Sequence, residues 1–80
     1  MTLKEAIIRR ILNLCEEHGL TVNKLSTVCG MTQSTLNNIV NGRNKSTTTS
    51  TVKKICDGLD ITIADFFDDP LFRDLEQEIK

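Results

Sequence analysis

No run of apolar residues in this 80-residue chain is longer than three, Ala6 to Ile8. Neither a membrane-spanning helix nor the hydrophobic stretch of a secretory signal can be placed in it, and a cytoplasmic protein is expected. Histidine is nearly absent, with His18 alone, and the three cysteines, Cys15, Cys29 and Cys56, form no Cys-x-x-Cys pair. A metal site therefore lacks a ligand set in register, and the odd thiol count fits free buried thiols in a reducing compartment. A Gly-rich phosphate loop, a Gly-x-Ser-x-Gly elbow and a carboxylate pair in an apolar setting are missing as well. No catalytic activity, metal or cofactor is expected. The length leaves room for a single core.

Net charge is also small, a formal −1 from ten Lys and Arg against eleven Asp and Glu. Taken whole, that value argues against a nucleic-acid partner held by bulk charge. Its distribution says otherwise. Up to Cys56 the chain holds eight basic and three acidic residues, a net +5; beyond it stand two basic and eight acidic residues, a net −6. Such a basic front and acidic tail is a hint of nucleic-acid binding at one end.

Apolar residues at Ile7, Ile8, Ile11, Leu14 and Cys15 repeat at helical spacing between Thr2 and Gly19, with Thr2 and Glu5 placed as a capping box. Three later points share one pattern, an apolar residue, then Thr, then an apolar residue four positions after the Thr: Leu20-Thr21-Leu25, Met31-Thr32-Leu36 and Ile61-Thr62-Phe66. In each, the Thr hydroxyl can accept from an orphan amide while the apolar pair forms a hydrophobic staple, so each marks a helix start. The second helix then runs from Val22 to Cys29 and stops at Gly30; the third runs from Gln33 to about Asn41 and stops at Gly42. So short a Gly-containing joint makes consecutive helices cross steeply, the geometry of a helix-turn-helix.

The polar stretch from Arg43 to Thr51 reads as an ordered loop that caps a fourth helix near Thr48, with a low-complexity linker as the other reading. The fourth helix covers about Thr49 to Asp57 and ends at Gly58, and a fifth covers Ile63 to Asp68. Asp69-Pro70 then opens a final short helix with Leu71, Phe72, Leu75 and Ile79 along one stripe. An all-α fold is expected, with one domain over residues 1–68 and a short amphipathic helix over 69–80. Its core is read as Ile7, Ile11, Leu14, Leu25, Leu36, Ile39, Val52, Ile55, Leu59, Ile61 and Phe66.

The segment from Leu20 to Gly42, LTVNKLSTVCGMTQSTLNNIVNG, resembles the XRE or Cro/cI family of lambda-repressor-like helix-turn-helix regulators, and the match continues through TVKKICDGLDI to Phe66-Phe67. The resemblance implies a compact five-helix domain that binds operator DNA, usually as a dimer, with the third helix in the major groove. In that pose Gln33, Ser34, Asn37 and Asn38 face base edges and Thr35 offers its hydroxyl or methyl. Gln and Asn each match the N6/N7 edge of adenine, and no Arg lies on this helix, which favours A·T steps over G. Arg43, Asn44 and Lys45 match the family loop that holds phosphates, with Thr32, Asn23 and Lys24 as further phosphate contacts. The plain alternatives are a solvated polar helix face, Thr and Ser residues that only cap, and ordinary surface charge.

The chain also departs from the family. Val22 stands where members commonly place a Gln that contacts phosphate and supports the first base reader, and Ser26 stands where Ala usually permits close packing. Cys15 and Val40 replace an Arg and a Glu that many members hold as a buried ion pair. Two functions follow for testing: a repressor dimer on double-stranded DNA, or an antitoxin or anti-regulator that docks a protein through the acidic tail and the stripe Leu71, Phe72, Leu75, Ile79. That stripe can equally cover the domain's own core or build a homodimer.

Replacing both ends of a buried ion pair by apolar groups is tolerated, whereas one unpaired end is not. Val40→Glu alone is thus expected to destabilise the fold; a thermal midpoint equal to or above the parent's would count against the exchange.

Overall fold

The computed structural model describes residues 1–43 and 47–79, whose regular structure is helical throughout. Five α-helices follow in order: α1 (Leu3–Glu17), α2 (Val22–Val28), α3 (Gln33–Val40), α4 (Thr49–Leu59) and α5 (Ile63–Phe67). A single 3-10 turn, Pro70–Phe72, comes after them. The helix α3 packs on α2 and α1, while α4 lies against α2 and α5, and the 3-10 turn rests on α1.

All five helices begin on a threonine. The side-chain oxygens of Thr2, Thr21, Thr32, Thr48 and Thr62 accept from the amides of Glu5, Lys24, Thr35, Thr51 and Asp65 at 2.9–3.1 Å. Each cap stabilises its helix by about 1 kcal/mol relative to alanine. At Thr2 and Thr62 the acid three residues on reaches back to the cap's own amide and completes a capping box. Thr48 caps α4 where the sequence placed the cap; residues 44–46 of the loop before it lie outside the described residues.

Four helix ends share a second device. Gly19, Gly30 and Gly42 take left-handed φ values of 65°, 69° and 73°, as does Asp60 at 56°. In each case the amide one residue further on donates to the carbonyl five residues before it: Leu20 to Cys15, Met31 to Ser26, Arg43 to Asn38 and Ile61 to Cys56, at 2.8–3.0 Å. This bonding satisfies carbonyls that the helix leaves orphaned. After α1, α2 and α4 the donor is the apolar residue that also precedes the next threonine cap, and Leu20, Met31 and Ile61 all pack against the core.

That core comprises Ile7, Ile11, Leu14, Leu25, Leu36, Ile39, Val52, Ile55, Leu59 and Phe66, joined by Ala6, Cys15, Cys29 and Cys56. Ile61, expected inside, is half-buried because it sits at a junction rather than on a helix face. Val40 is half-buried against the cluster. All three thiols are free and buried.

Arg10 is buried too, at 8% exposure. Its Nε donates to the Phe66 carbonyl (2.8 Å) and its Nη2 to the Asp65 carbonyl (3.0 Å), while Nη1 meets the Asp69 carboxylate at 3.2 Å. One guanidinium therefore closes the C-terminal end of α5, where the helix presents unpaired carbonyls and partial negative charge. Asp69 in turn accepts from the Leu71 amide and starts the 3-10 turn.

Two sequence expectations are corrected. Gly58 does not end the fourth helix, which continues to Leu59 and closes on left-handed Asp60. A Cβ on Gly58 would lie 2.7 Å from the Cys29 sulfur and 3.0 Å from the Val28 carbonyl oxygen, so the glycine admits α2 rather than terminating α4. The final stripe is not a helix through Ile79: beyond the turn the backbone is irregular, and the Glu76 amide donates to the Met1 carbonyl at 3.1 Å. So short a segment repays helix nucleation poorly, and Glu76 and Glu78 would place acid near the helix's negative end. Phe72 nonetheless reaches the core, its ring centroid 4.9 Å from that of Phe67, edge to face. Leu71 and Leu75 are half-buried and Ile79 is 86% exposed.

Glycine to alanine inside a helix ordinarily gains up to about 1 kcal/mol. For Gly58→Ala a loss of about 1–3 kcal/mol is expected instead, since the close approach of α2 must be relieved. Asp60→Gly should be neutral or stabilising by up to about 1 kcal/mol, because glycine carries no penalty in the left-handed region. Denaturant midpoints check both; a raised midpoint for the first or a lowered one for the second would contradict this account of how α4 ends.

Candidate nucleic-acid interface

The helix α3 is anchored from one side by Leu36 and Ile39, both buried. At about 100° per residue, Gln33, Asn37, Asn41, Ser34 and Asn38 fall within an arc of about 140° on the side away from these anchors. Gln33, Ser34 and Asn41 are exposed, and Asn37 and Asn38 are half-buried. Five polar side chains without formal charge thus form one face. Asn41, the helix's C-cap, was not among the residues picked out in sequence; its place eight residues after Gln33 puts it on the same stripe.

Thr35 stands outside this arc. Its amide donates to the Thr32 hydroxyl and the two hydroxyl oxygens lie 2.7 Å apart, so Thr32 and Thr35 are tied to each other at the start of the helix. Both remain exposed.

The turn between α2 and α3 is held from below. Cys29 caps the end of α2, and Gly30 and Met31 close it with bonds to Thr27 and Ser26. Burial, together with the neighbouring Cys15 and Cys56 thiols, pushes the Cys29 thiol up to about 11. It stays protonated at neutral pH and serves as packing, not as a nucleophile. Ser26 is fully buried, and its hydroxyl donates to the Asn23 carbonyl at 2.6 Å. Across the turn, the Asn37 amide nitrogen donates to the Asn23 side-chain oxygen at 3.3 Å.

At the other end of α3, Lys4 of α1 donates from Nζ to the Gly42 carbonyl at 2.8 Å. A cation there complements the negative end of the helix and fixes the point where the following loop departs. Arg43, next in the chain, is exposed, as is Lys24 on α2, and neither forms an ion pair among the described residues. Asn44 and Lys45 lie outside the described residues.

Other charges of the basic front are engaged elsewhere. Arg10 is internal and paired with Asp69 of the acidic tail, and Lys53 pairs with Asp57 one turn along α4. The latter is solvent-exposed and contributes little. Among the described residues no group of His, Cys, Asp and Glu could hold a metal ion, and no helix is long and apolar enough to cross a membrane.

Two short helices joined through a left-handed glycine, the second with a polar outward face and basic groups beside its end, define a helix-turn-helix DNA-binding protein. The chain belongs to the Cro/C1-type HTH DNA-binding domain family, whose model matches residues 10–70. It is similar to a protein solved by crystallography, the prophage Lp1 protein 11, with 35% identity and a TM-score of 0.81 over 94% of this chain and 99% of that one. No curated protein matches the chain. The family is of a regulatory, non-enzymatic kind.

Proposed function

We propose that the protein is a sequence-specific transcriptional repressor that binds operator DNA as a homodimer, with α3 in the major groove of each half-site. The observation that carries this reading is the arc of Gln33, Ser34, Asn37 and Asn38 on one face of α3, opposite the buried Leu36 and Ile39. A dimer on a two-fold operator would place half-sites about 34–36 Å apart. Gln33 and the asparagines suit adenine edges, and the absence of Arg from α3 disfavours guanine. Arg43 and Lys24 supply phosphate contacts that set register without reading sequence, with Thr32, Asn44 and Lys45 assigned the same role.

The protein-docking alternative has less to stand on. Phe72 packs into the domain's own core and Leu71 and Leu75 are half-buried, so the stripe is largely occupied. Those contacts favour the reading in which the segment after Asp68 completes the domain.

With only a net +5 on the front, Arg10 internal and paired with Asp69, and −6 behind, non-specific affinity should be weak and salt-sensitive. Selection from randomised duplexes followed by salt titration tests the assignment. Arg43→Ala is expected to weaken binding to every duplex alike and to reduce the log–log salt slope by about one, whereas Gln33→Ala should relax preference at one base pair, by about 1–3 kcal/mol, with the slope unchanged. Failure to enrich any sequence, or an unaltered slope for Arg43→Ala, would overturn the corresponding role.

A further inference from the structure

The family's usual supporting amide on α2 is absent, since Val22, half-buried against the core, occupies its place. An amide-to-amide contact between α2 and α3 is nevertheless present, shifted by one residue on α2 and four on α3: Asn37 Nδ2 donates to Asn23 Oδ1 at 3.3 Å. We propose that Asn23 is a positioning residue, not a phosphate contact, and that Asn37 is the adenine reader it orients.

The hydrogen-bond inventory supports the pairing. An Asn side chain carries two N–H donors and an oxygen with two lone pairs. One donor of Asn37 is engaged by Asn23, which leaves one N–H and the carbonyl oxygen. That remainder is the donor–acceptor pair complementary to the N7 acceptor and N6 donor of adenine in the major groove. Were the donor and acceptor roles of the two amides exchanged, Asn37 would still retain a free N–H and a free lone pair. The contact therefore fixes the plane of the side chain without exhausting it.

Asn23, exposed at the second position of α2, is held at its backbone: its main-chain carbonyl accepts from the Ser26 hydroxyl at 2.6 Å and from the Thr27 hydroxyl at 3.3 Å, and Ser26 is completely buried. Asn37 is half-buried, with Leu36 beside it in the core. Both residues are thus carried on helices whose backbone is fixed at these positions. Gln33, by contrast, is exposed at the first position of α3 and has no side-chain hydrogen bond among the described residues. A pre-oriented amide loses less rotational freedom on binding than a free one, so Asn37 should discriminate more sharply than Gln33.

This inference rests on the DNA-binding reading above, and its test keeps the two apart. The full chain and the variants Asn23→Ala, Asn23→Asp and Asn37→Ala are each put through selection from randomised duplexes, then titrated on the selected site, on single-base-pair variants of it and on an unrelated duplex. For the parent, one adenine position in each half-site should lose roughly tenfold or more in affinity when replaced. Asn37→Ala should abolish the preference at that position alone. Asn23→Ala should weaken the preference at the same position, with the double variant no worse than Asn37→Ala, and binding to the unrelated duplex and the salt slope unchanged. Asn23→Asp keeps the acceptor, so it should retain the base preference while lowering affinity for all duplexes through its charge. A uniform loss for Asn23→Ala on every duplex, with the base preference intact, would show a phosphate contact and overturn the proposal. Loss of preference at a position that Asn37→Ala does not affect would overturn it as well. If the parent enriches no sequence at all, the DNA-reading assignment itself fails.

Discussion

A three-residue junction recurs wherever one helix passes directly to the next: a left-handed residue, an apolar residue and a threonine. It occurs at Gly19-Leu20-Thr21, Gly30-Met31-Thr32 and Asp60-Ile61-Thr62. The left-handed residue turns the chain so that the next amide reaches a carbonyl five residues back, the apolar side chain is thereby returned to the core, and the threonine caps the following helix. Because one apolar residue ends one helix and enters the next, the relative direction of the two axes is determined within three residues. The placement of α3 against α2, and with it the face offered to a partner, depends on the second of these junctions.

Charge is organised differently in space than along the chain. The basic front and acidic tail are stitched together by Arg10 and Asp69, and the guanidinium is used as the C-terminal cap of α5 rather than as surface charge. Arg10 is itself buried, and leaving its guanidinium without Asp69 would be costly, which makes the segment after α5 part of how the domain holds together. Lys4 serves α3 in a related way at Gly42. Two cations near the start of the chain thus close the ends of helices remote from them in sequence.

Much of the architecture was legible because it is local. Threonine caps, capping boxes and the glycines at 19, 30 and 42 act within six residues of themselves, so their spacing revealed five helix starts and three helix ends. Gly58 and Asp60 misled for the same reason: glycine is the usual left-handed residue, and only the approach of Cys29 and Val28 explains why it lies inside the helix while aspartate turns the chain. Arg10, on a helix of otherwise regular pattern, offered no local sign of burial, since its partners lie more than fifty residues away. On the candidate interface, the amides of α3 were visible as a polar stripe. The bond from Asn37 to Asn23 was not, because it spans fourteen residues and two helices.

What the amino-acid sequence determined by itself was the order and start of the five α-helices, the presence of a helix-turn-helix and the polar character of its second helix, all consequences of periodicity and capping over a few residues. Tertiary structure decided which of those groups remain free to act. It removed Arg10 from the surface, drew Phe72 inward and joined Asn23 to Asn37. A side chain's availability depends on what lies across from it, and that is settled only when distant parts of the chain are packed together.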